Sequence, residues 1–293
     1  MKKKSPVLIA FQGKRADIGN YKIDRILPNR FVDAVGPFVF LDHLLPLFVD
    51  KKGTGEKEGT GPHPHRGIAT LTYVLNGEAE HSDSKGHYAK VHSGGVQWMK
   101  AGSGIVHDES IHPDPSADDF LIHSFQFWIN LPAKNKAEGA LYIPLEKNDV
   151  PVKWLNNNDG WIKVIAGDFK DIRSKIPAYS KQFVYHLHLE GRKLFSLQTE
   201  PALEYAAFLP LQSLVVNDTE YQTGDCLIFE KGNGEIEIKN ISTKPVDLIF
   251  FGGETYTEPI VTTGPFVMNT HHEISLAYND YYKGKYGEIK YGE

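Results

Sequence analysis

Two short segments of the chain carry side chains that are able to bind a metal ion. The first contains His63 and His65, and the second contains His107 and Glu109. Residues i and i+2 of a β-strand point to the same side, so each pair would present two side chains together. Two such pairs on facing strands would bring four ligands to one point. Imidazole and carboxylate bind Fe, Mn, Ni, Cu and Zn without a thiolate, and an octahedral ion with four protein ligands keeps about two positions open.

Spacing alone leaves two interpretations open. A single His-x-His pair is common and usually structural, whereas the second pair follows a glycine-rich turn, Gly102-Ser103-Gly104, that would let a strand approach an ion closely. On spacing, a metal site and a set of structural histidines are comparable alternatives. His186 and His188 repeat the spacing without a second pair downstream, and we interpret them as a solvent-facing strand edge. Five other histidines flank the first motif region, and the pattern does not select which of them contact the ligands: His81, His87, His92, His112 and His123.

The elements that must position these residues are predicted to be strands. Apolar segments of 4–8 residues recur along the chain, are rich in β-branched and aromatic residues, and end at Gly, Asn, Asp or Pro. Closure of such sheets into barrels would remove their exposed edges. The clearest helical pattern covers Glu273 to Tyr282, where Ile274, Ala277 and Tyr281 share one face and Gly284 follows as a stop.

The length of 293 residues suits two domains of roughly 130–150 residues each. A polar linker is plausible between Pro132 and Pro151. We predict an N-terminal metal-binding domain over 1–140 and a C-terminal domain without metal over 141–293, which ends in the helix. A weak internal echo relates the segment that begins at Gly94 to the one that begins at Gly224, and two unrelated turn-strand units would explain it equally well.

The echo also supports the prediction that the second domain holds no metal. When Gly95 is aligned with Gly224, His107 and Glu109 fall on Ile236 and Ile238, which cannot bind a cation. In a looser alignment, the first histidine pair falls near Gln198 and Glu200.

Composition excludes several classes of protein. Hydrophobic residues make up 41% of the chain, enough for packed cores, and the net charge is −5 with no basic stripe for nucleic acid. The apolar run from Val7 to Phe11 is too short for a signal peptide, and no stretch approaches the ~18–20 apolar residues of a membrane span. We therefore expect a soluble cytoplasmic protein. The single cysteine, Cys226, lies in an apolar strand pattern and is predicted to be a core thiol.

Several blocks together resemble the pirin family of the cupin superfamily. The signature is carried by His63-Pro64-His65-Arg66-Gly67 and by the segment from Gln97 to Glu109, Gln-Trp-Met-Lys-Ala-Gly-Ser-Gly-Ile-Val-His-Asp-Glu. Further blocks in the family order cover the chain from end to end: Val35-Gly36-Pro37-Phe38, Leu41-Asp42-His43, Trp128-Ile129-Asn130-Leu131-Pro132, and Gly264-Pro265-Phe266-Val267-Met268-Asn269-Thr270 with Glu273-Ile274.

The resemblance implies an all-β bicupin: two antiparallel β-barrel (cupin/jelly-roll) domains stacked in tandem, with a short C-terminal helix. It also implies one divalent metal, typically Fe(II), held by His63, His65, His107 and Glu109, while Mn, Ni, Cu and Zn remain compatible with the ligands. The chain departs from the family at Ala69, where pirins often have Glu. Since Glu109 takes the carboxylate role, this change is expected to affect the surroundings of the ligands rather than metal binding.

The function implied by the resemblance is a dioxygenase that cleaves quercetin-type flavonols with O₂. Glu109 would be both a ligand and the proton acceptor for the substrate hydroxyl. Adjacency in sequence suggests Arg66, Gln97 and Trp98 for the mouth of the pocket. The alternative is a non-catalytic, iron-dependent redox regulator that binds a protein partner, and both roles would use the same four ligands.

Overall fold

The computed structural model describes residues 3–18, 21–49, 59–118 and 120–291. Its elements are mostly strands, in agreement with the sequence prediction. The strands up to residue 145 are β1 (Val7–Gln12), β2 (Lys14–Ile18), β3 (Tyr21–Leu27), β4 (Phe38–Phe48), β5 (His63–His65), β6 (Ile68–Asn76), β7 (Glu78–Asp83), β8 (Tyr88–His92), β9 (Val96–Lys100), β10 (Ile105–His112), β11 (Leu121–Asn130) and β12 (Leu141–Leu145).

The remaining strands follow three short 3₁₀ turns at Ala133–Asn135, Lys147–Asp149 and Asn156–Asn158. They are β13 (Val152–Trp154), β14 (Gly160–Ala166), β15 (Asp168–Phe169), β16 (Ile172–Arg173), β17 (Gln182–Leu189), β18 (Leu194–Thr199), β19 (Leu203–Phe208), β20 (Leu214–Val216), β21 (Thr219–Tyr221), β22 (Asp225–Phe229), β23 (Gly234–Lys239), β24 (Val246–Glu254), β25 (Val261–Thr263) and β26 (Phe266–Met268). Helix α1 (His271–Tyr282) ends the list.

The chain folds into two compact units, and each is built from segments that are not consecutive in the sequence. The first barrel unit comprises Arg15–Arg25, Val39–Asp149 and Thr257–Glu293, and the second comprises Met1–Lys14, Ile26–Phe38 and Val150–Tyr256. The ranges 1–140 and 141–293 predicted from the sequence coincide with the central part of each unit. The units depart from these ranges elsewhere: β1 pairs with β22 of the second unit, Ile26–Phe38 also belongs to the second unit, and α1 belongs to the first.

The same strand order occurs in both units, in the described part of the chain. The first unit pairs a sheet of order β12-β9-β6-β11-β4-β3-β2 with a smaller sheet β5-β10-β7-β8. The second has β1-β22-β19-β24-β17-β14-β13 and β18-β23-β20-β21. Strands β9 and β22, which carry the sequence echo, occupy equivalent positions. The echo therefore reflects a repeated antiparallel two-sheet barrel.

Alternation along the strands builds each core. In the second unit, Phe183, Tyr185, Leu187 and Leu189 of β17 point into one buried apolar cluster. Cys226 is fully buried, as predicted, and burial raises the pKa of its thiol. The predicted assignment of His186 and His188 to a strand edge is wrong, because β17 lies inside its sheet between β14 and β24.

Helix α1 begins two residues before the predicted start because Thr270 caps it. The Thr270 hydroxyl accepts a hydrogen bond from the Glu273 backbone, and the Glu273 carboxylate accepts one from the Asn269 backbone. Ile274 and Ala277 are buried against Phe266, which attaches the helix to β26. Among the described residues, no helix is long and apolar enough to cross a membrane.

Candidate metal centre

The two pairs of candidate ligands lie on neighbouring strands of the smaller sheet in the first barrel unit. Strand β10 pairs antiparallel with β5, and His107 lies directly opposite His63. On its other side β10 pairs with β7, where Glu109 lies opposite His81. Because of the i, i+2 spacing, the two side chains of each pair point to the same face of the sheet, as predicted. The antiparallel register of β5 and β10 then places His63 beside His107.

Two glycines, one beside β5 and one beside β10, allow these strands to lie close to the C-terminal segment. Gly67 follows β5 with a positive φ of 82°, and a Cβ there would lie 2.0 Å from the Val267 carbonyl oxygen. Gly104 precedes β10 with a φ of 131°, and a Cβ there would meet the Tyr286 ring at 2.1 Å. Any other residue would be strained at these positions and would push the strand away from the C-terminal segment.

The side chains form two overlapping groups with the spacing of a metal site. Ligand atoms of His63, His65 and His107 all lie within 4.8 Å of one another, and so do those of His81, His107 and Glu109. His107 is the residue that the two groups share, so it lies near His63 and His65 and also near Glu109. The structure thus places the four residues selected from the sequence in two adjoining groups and adds His81 to the second. Their assignment as ligands stays a prediction.

Backbone carbonyls orient the first two histidines. Nδ1 of His63 is 2.8 Å from the Gly61 carbonyl oxygen, and Nδ1 of His65 is 3.0 Å from that of Pro265. A carbonyl accepts, so each Nδ1 carries the proton and each Nε2 keeps its lone pair for a metal. Burial lowers the pKa of His65 to about 3, which keeps this imidazole in the neutral form that binds metals.

His107 fits a metal ligand because neither ring nitrogen has another partner. The side chain is fully buried, and both Nδ1 and Nε2 lack a hydrogen-bond partner among the described residues. A buried polar atom without a partner costs about 1–3 kcal/mol, so such atoms are rare and need an explanation. Burial and the neighbouring His63, His65 and His81 hold the pKa of His107 well below its ordinary value. A bound cation would satisfy the free lone pair of this neutral ring.

Glu109 is held by Gln126, which the sequence argument missed, and lies near His81, one of the five histidines that it left unassigned. Nε2 of Gln126 donates to Oε2 of Glu109 at 2.6 Å, which leaves Oε1 on the side of His107 at 3.8 Å from Nδ1. Nδ1 of His81 lies 3.9 Å from the same Oε1. The only available sequence signal for Gln126 was one polar residue among the aromatic residues of Phe125-Gln126-Phe127-Trp128.

His81 is connected to the surface through Asp83. Nε2 of His81 lies 3.1 Å from Oδ2 of Asp83, and Nδ1 of the half-exposed His87 lies 2.8 Å from the same oxygen. Burial alone would raise the pKa of Asp83, but hydrogen bonds from both histidines and from the Lys85 backbone lower it to about 2. Burial also opposes the charge on His81, yet contacts with Asp83 and Glu109 raise its pKa overall.

The C-terminal block of the pirin-like signature contacts the centre directly. Pro265 supplies the carbonyl that orients His65, and Phe266 forms a parallel bridge with Arg66. The Arg66 guanidinium binds Asp280 of α1 at 2.8 Å. Arg66 thus attaches the helix beside His65, and it does not line the cavity described next.

A mainly apolar cavity of about 60 Å³ lies beside Glu109. Apolar residues of its wall include Tyr21, Ile23, Leu44 and Ile111, and Glu109, Gln126 and Gln97 contribute polar atoms. Of the three residues suggested for the pocket mouth, only Gln97 lines this cavity. Trp98 is buried elsewhere in the core. The volume admits a few water-sized groups and is far below the ~300–1,000 Å³ of sites that enclose a whole organic ligand.

The equivalent positions in the second barrel unit are mostly apolar. By strand order β23 corresponds to β10, and its register with β18 and β20 places Leu197, Val216, Ile236 and Ile238 where the first unit has His63, His81, His107 and Glu109. These four side chains are buried in the core. The counterpart of His65 is Thr199, so the looser sequence alignment was displaced by one residue.

Comparison with known proteins agrees with this arrangement. Sequence models named Pirin and Pirin C-terminal cupin domain match residues 20–129 and 184–287. A pirin-like protein of Caulobacter vibrioides is 30% identical over 287 residues, 97% of each chain. The chain belongs to the pirin family. A pirin-like protein of Solanum lycopersicum is 34% identical over 251 residues, which cover 82% of this chain and 81% of that protein.

The solved structures extend the likeness of this pirin to three dimensions. A structure titled quercetin 2,3-dioxygenase from Acinetobacter baumannii has a TM-score of 0.88 and 30% identity, and it covers 99% of this chain and 100% of its own. The predicted fold of two cupin barrels with one short C-terminal helix is thereby confirmed.

Proposed function

We propose that this pirin is a metal-dependent dioxygenase that acts on flavonol or quercetin-type aromatic substrates with O₂. The observation that supports it best is the pair of buried nitrogens of His107, which have no hydrogen-bond partner in the described part of the chain and lie near His63, His65 and Glu109. Glu109 in turn lines an apolar cavity. The name of the Acinetobacter baumannii structure supports the same reaction class.

The proposed roles follow from the position of each side chain. His63, His65 and His107 would hold the metal, most simply Fe(II), through neutral nitrogens, with Glu109 as the fourth ligand. When bound, the metal supplies Lewis acidity toward a substrate hydroxyl and a redox couple for the reaction with O₂. Gln126 holds Oε2 of Glu109, so Oε1 is the atom placed to accept the hydroxyl proton. The apolar wall formed by Tyr21, Ile23 and Leu44 would exclude water from the reacting edge of the substrate.

Cavity size restricts the binding mode. At about 60 Å³ the described cavity cannot enclose a flavonol, so only the hydroxyl-bearing edge of the substrate would enter unless the walls move apart. The same observation favours the second candidate, a non-catalytic, iron-dependent redox regulator whose partner is a protein. Such a regulator needs the metal but no room for an organic substrate.

Anaerobic reconstitution tests the proposal. Metal-free protein is loaded with Fe(II) or Zn(II), O₂ is admitted, and loss of a flavonol and uptake of O₂ are followed together. We expect turnover with Fe(II) and none with Zn(II), because zinc has no accessible redox change. Equal rates with both ions would contradict the redox role. No turnover of any flavonol or catechol by the iron-loaded protein would favour the regulator.

Glu109→Gln separates ligation from proton transfer. The amide oxygen is still able to bind the metal but cannot accept the proton, so flavonol cleavage should vanish while the metal is retained. Glu80→Gln, on the neighbouring strand β7, is the matched control and should keep the wild-type rate. A normal rate for iron-loaded Glu109→Gln would exclude this residue as the base.

A further inference from the structure

The wall of the cavity beside Glu109 contains a row of three polar side chains. Thr72 of β6 lies directly opposite Gln97 of β9 on one side and Gln126 of β11 on the other. Directly opposite residues of antiparallel strands point to the same face of the sheet, and all three line the cavity. Because Gln126 already donates to Glu109, the row faces this candidate ligand.

Two atoms of this row are buried without a partner. Nε2 of Gln97 donates to the Ala79 carbonyl at 2.7 Å, which fixes the orientation of the amide and leaves Oε1 as the remaining atom. Oε1 of Gln97 and Oγ1 of Thr72 have no hydrogen-bond partner in the described part of the chain, although both side chains are more than nine-tenths buried. An unpaired buried polar atom is unfavourable and uncommon, so the two atoms point to a group that enters the cavity.

The two atoms together complement a hydroxyl group. Oε1 of Gln97 is only able to accept a hydrogen bond, whereas the hydroxyl of Thr72 is also able to donate one. A ligand hydroxyl satisfies both, because its hydrogen is donated to Gln97 and its oxygen accepts from Thr72. An ether, a halogen or a carbonyl oxygen has no hydrogen to donate and would leave Oε1 of Gln97 unpaired.

The size of the cavity determines where this hydroxyl lies relative to Glu109. At about 60 Å³ the cavity has room for a few water-sized groups, and Glu109 lines it together with Gln97 and Thr72. A hydroxyl that reaches Glu109 and one that reaches Gln97 are therefore expected on neighbouring atoms of the ligand. Thr60, which is exposed, and Ile18, which is half-buried, also line the cavity and give it a side from which the edge of a ring can enter.

We propose that this cavity selects an aromatic ligand that carries two adjacent hydroxyl groups, which is a catechol edge. Gln97 and Thr72 recognise the second hydroxyl, and Glu109 accepts the proton of the first. The inference rests on the proposed function for the role of Glu109, and it narrows the substrate class. Quercetin-type flavonols carry such an edge on their dihydroxyphenyl ring.

Calorimetry without O₂ tests the proposal by measuring binding of catechol and of 2-fluorophenol to the full-length, Zn(II)-loaded protein. Zinc has no accessible redox change, so neither probe is consumed. In 2-fluorophenol, fluorine replaces the second hydroxyl and cannot donate. We expect Gln97→Met to weaken binding of catechol about tenfold and to leave that of 2-fluorophenol unchanged, because only catechol loses a hydrogen bond. Gln182→Met, at a buried glutamine of the second unit, should bind both probes as the wild type does.

A second variant, Thr72→Val, removes the other contact and keeps the shape of the side chain. It should weaken catechol roughly threefold and leave 2-fluorophenol unchanged. This variant decides the matter if Gln97→Met weakens both probes equally, since that result would mean that loss of the bond to Ala79 disturbs the wall.

Equal affinity of catechol for the wild type and Thr72→Val, or no binding of catechol to the wild type, would overturn the proposal and mean that the two atoms are satisfied by water only. The proposed dioxygenase fails separately. Absence of turnover by the Fe(II)-loaded protein would refute the dioxygenase, whereas the selectivity for catechol is measured with zinc and does not depend on turnover.

Discussion

His107 occupies an environment in which an ordinary buried histidine would be unfavourable. Its two nitrogens have no protein partner among the described residues, its ring centroid lies 4.3 Å from that of His63, and burial keeps it uncharged. An ion between several close imidazoles would explain why they lie together without a mutual hydrogen bond, and we predict one here.

Replacing His107 by Ala should remove most of the bound metal and leave the barrel folded. Loss of a direct ligand should reduce the metal affinity by more than the roughly 10- to 100-fold typical of a lost outer hydrogen bond. His63→Ala should behave in the same way. Elemental analysis of the purified variants, together with circular dichroism, provides the measurement. His112→Ala on the same strand is the control, and a stoichiometric metal content in His107→Ala would rule out the ligand assignment.

Replacing Gln126 by Leu should weaken metal binding about 10- to 100-fold without removing a ligand. The change takes away the side-chain amide that donates to Oε2 of Glu109, so the carboxylate should rotate more freely away from His107. Competition with a chelator measures the affinity. Gln198→Leu, an exposed position of the second unit, should bind metal like the wild type. Unchanged affinity in Gln126→Leu would mean that this hydrogen bond does not position Glu109.

At the scale of elements, the larger sheet of the first unit contains a buried pair of histidines between β4 and β11. Nε2 of His43 lies 2.7 Å from Nε2 of His123, and the His43 ring stacks on Phe125. Burial, followed by the nearby His123 and Arg15, lowers the pKa of His43 from 6.5 to about 3. The sheet is therefore built around an uncharged His43.

This sheet should lose stability as the pH falls. The unfolded chain takes up a proton at His43 near pH 6.5, whereas the folded chain does so only near pH 3. The contribution is complete above pH 6.5 and is lost between these two values, with a slope of up to ~1.4 kcal/mol per pH unit. Urea unfolding from about pH 6 to 4 should therefore show a shallower dependence for His43→Gln than for the wild type or for the exposed-site control His271→Gln. Equal slopes would contradict the prediction.

At the scale of the whole molecule, we expect that neither barrel needs an ion to form its core. In the second unit, the positions equivalent to His63, His81, His107 and Glu109 hold Leu197, Val216, Ile236 and Ile238, and these apolar side chains belong to its buried core. The first unit has its own buried strands, such as β6 and β9. Metal is thus expected to stabilise a fold that already exists, unlike the metal of a zinc finger.

Chelation should leave a folded protein that unfolds at a lower temperature. Binding to the folded state alone contributes RT ln(1 + [M]/Kd), or about 4 kcal/mol at a free metal concentration of ~1,000 Kd. Calorimetry with and without chelator should therefore show a cooperative transition in both samples, and far-UV circular dichroism should not change. The metal-dependent shift should be absent in His107→Ala. Loss of β-structure on chelation would mean that the ion is part of the fold.

The features that could be predicted from the sequence alone are those that depend on residues close together in the chain. Short apolar segments rich in β-branched and aromatic residues predicted the strands, because these side chains favour an extended backbone. The i, i+2 spacing of His63 with His65, and of His107 with Glu109, placed each pair on one side of its strand. The C-terminal helix was predicted from its own periodicity. Only the Thr270 cap, which is formed by hydrogen bonds around the first turn, moved its start.

The tertiary structure decided which distant residues support the centre. Strand register placed His81 opposite Glu109 and Gln126 against its carboxylate, and the packing of the C-terminal segment brought Pro265 to His65 across 200 residues of sequence. In the second unit, the pairing of β17 with β14 and β24 placed His186 inside a sheet. Such contacts depend on which strands pair and on their register. A register shift of one residue would turn every side chain of the strand to the opposite face of the sheet. That information is held by the whole packed barrel rather than by any one segment.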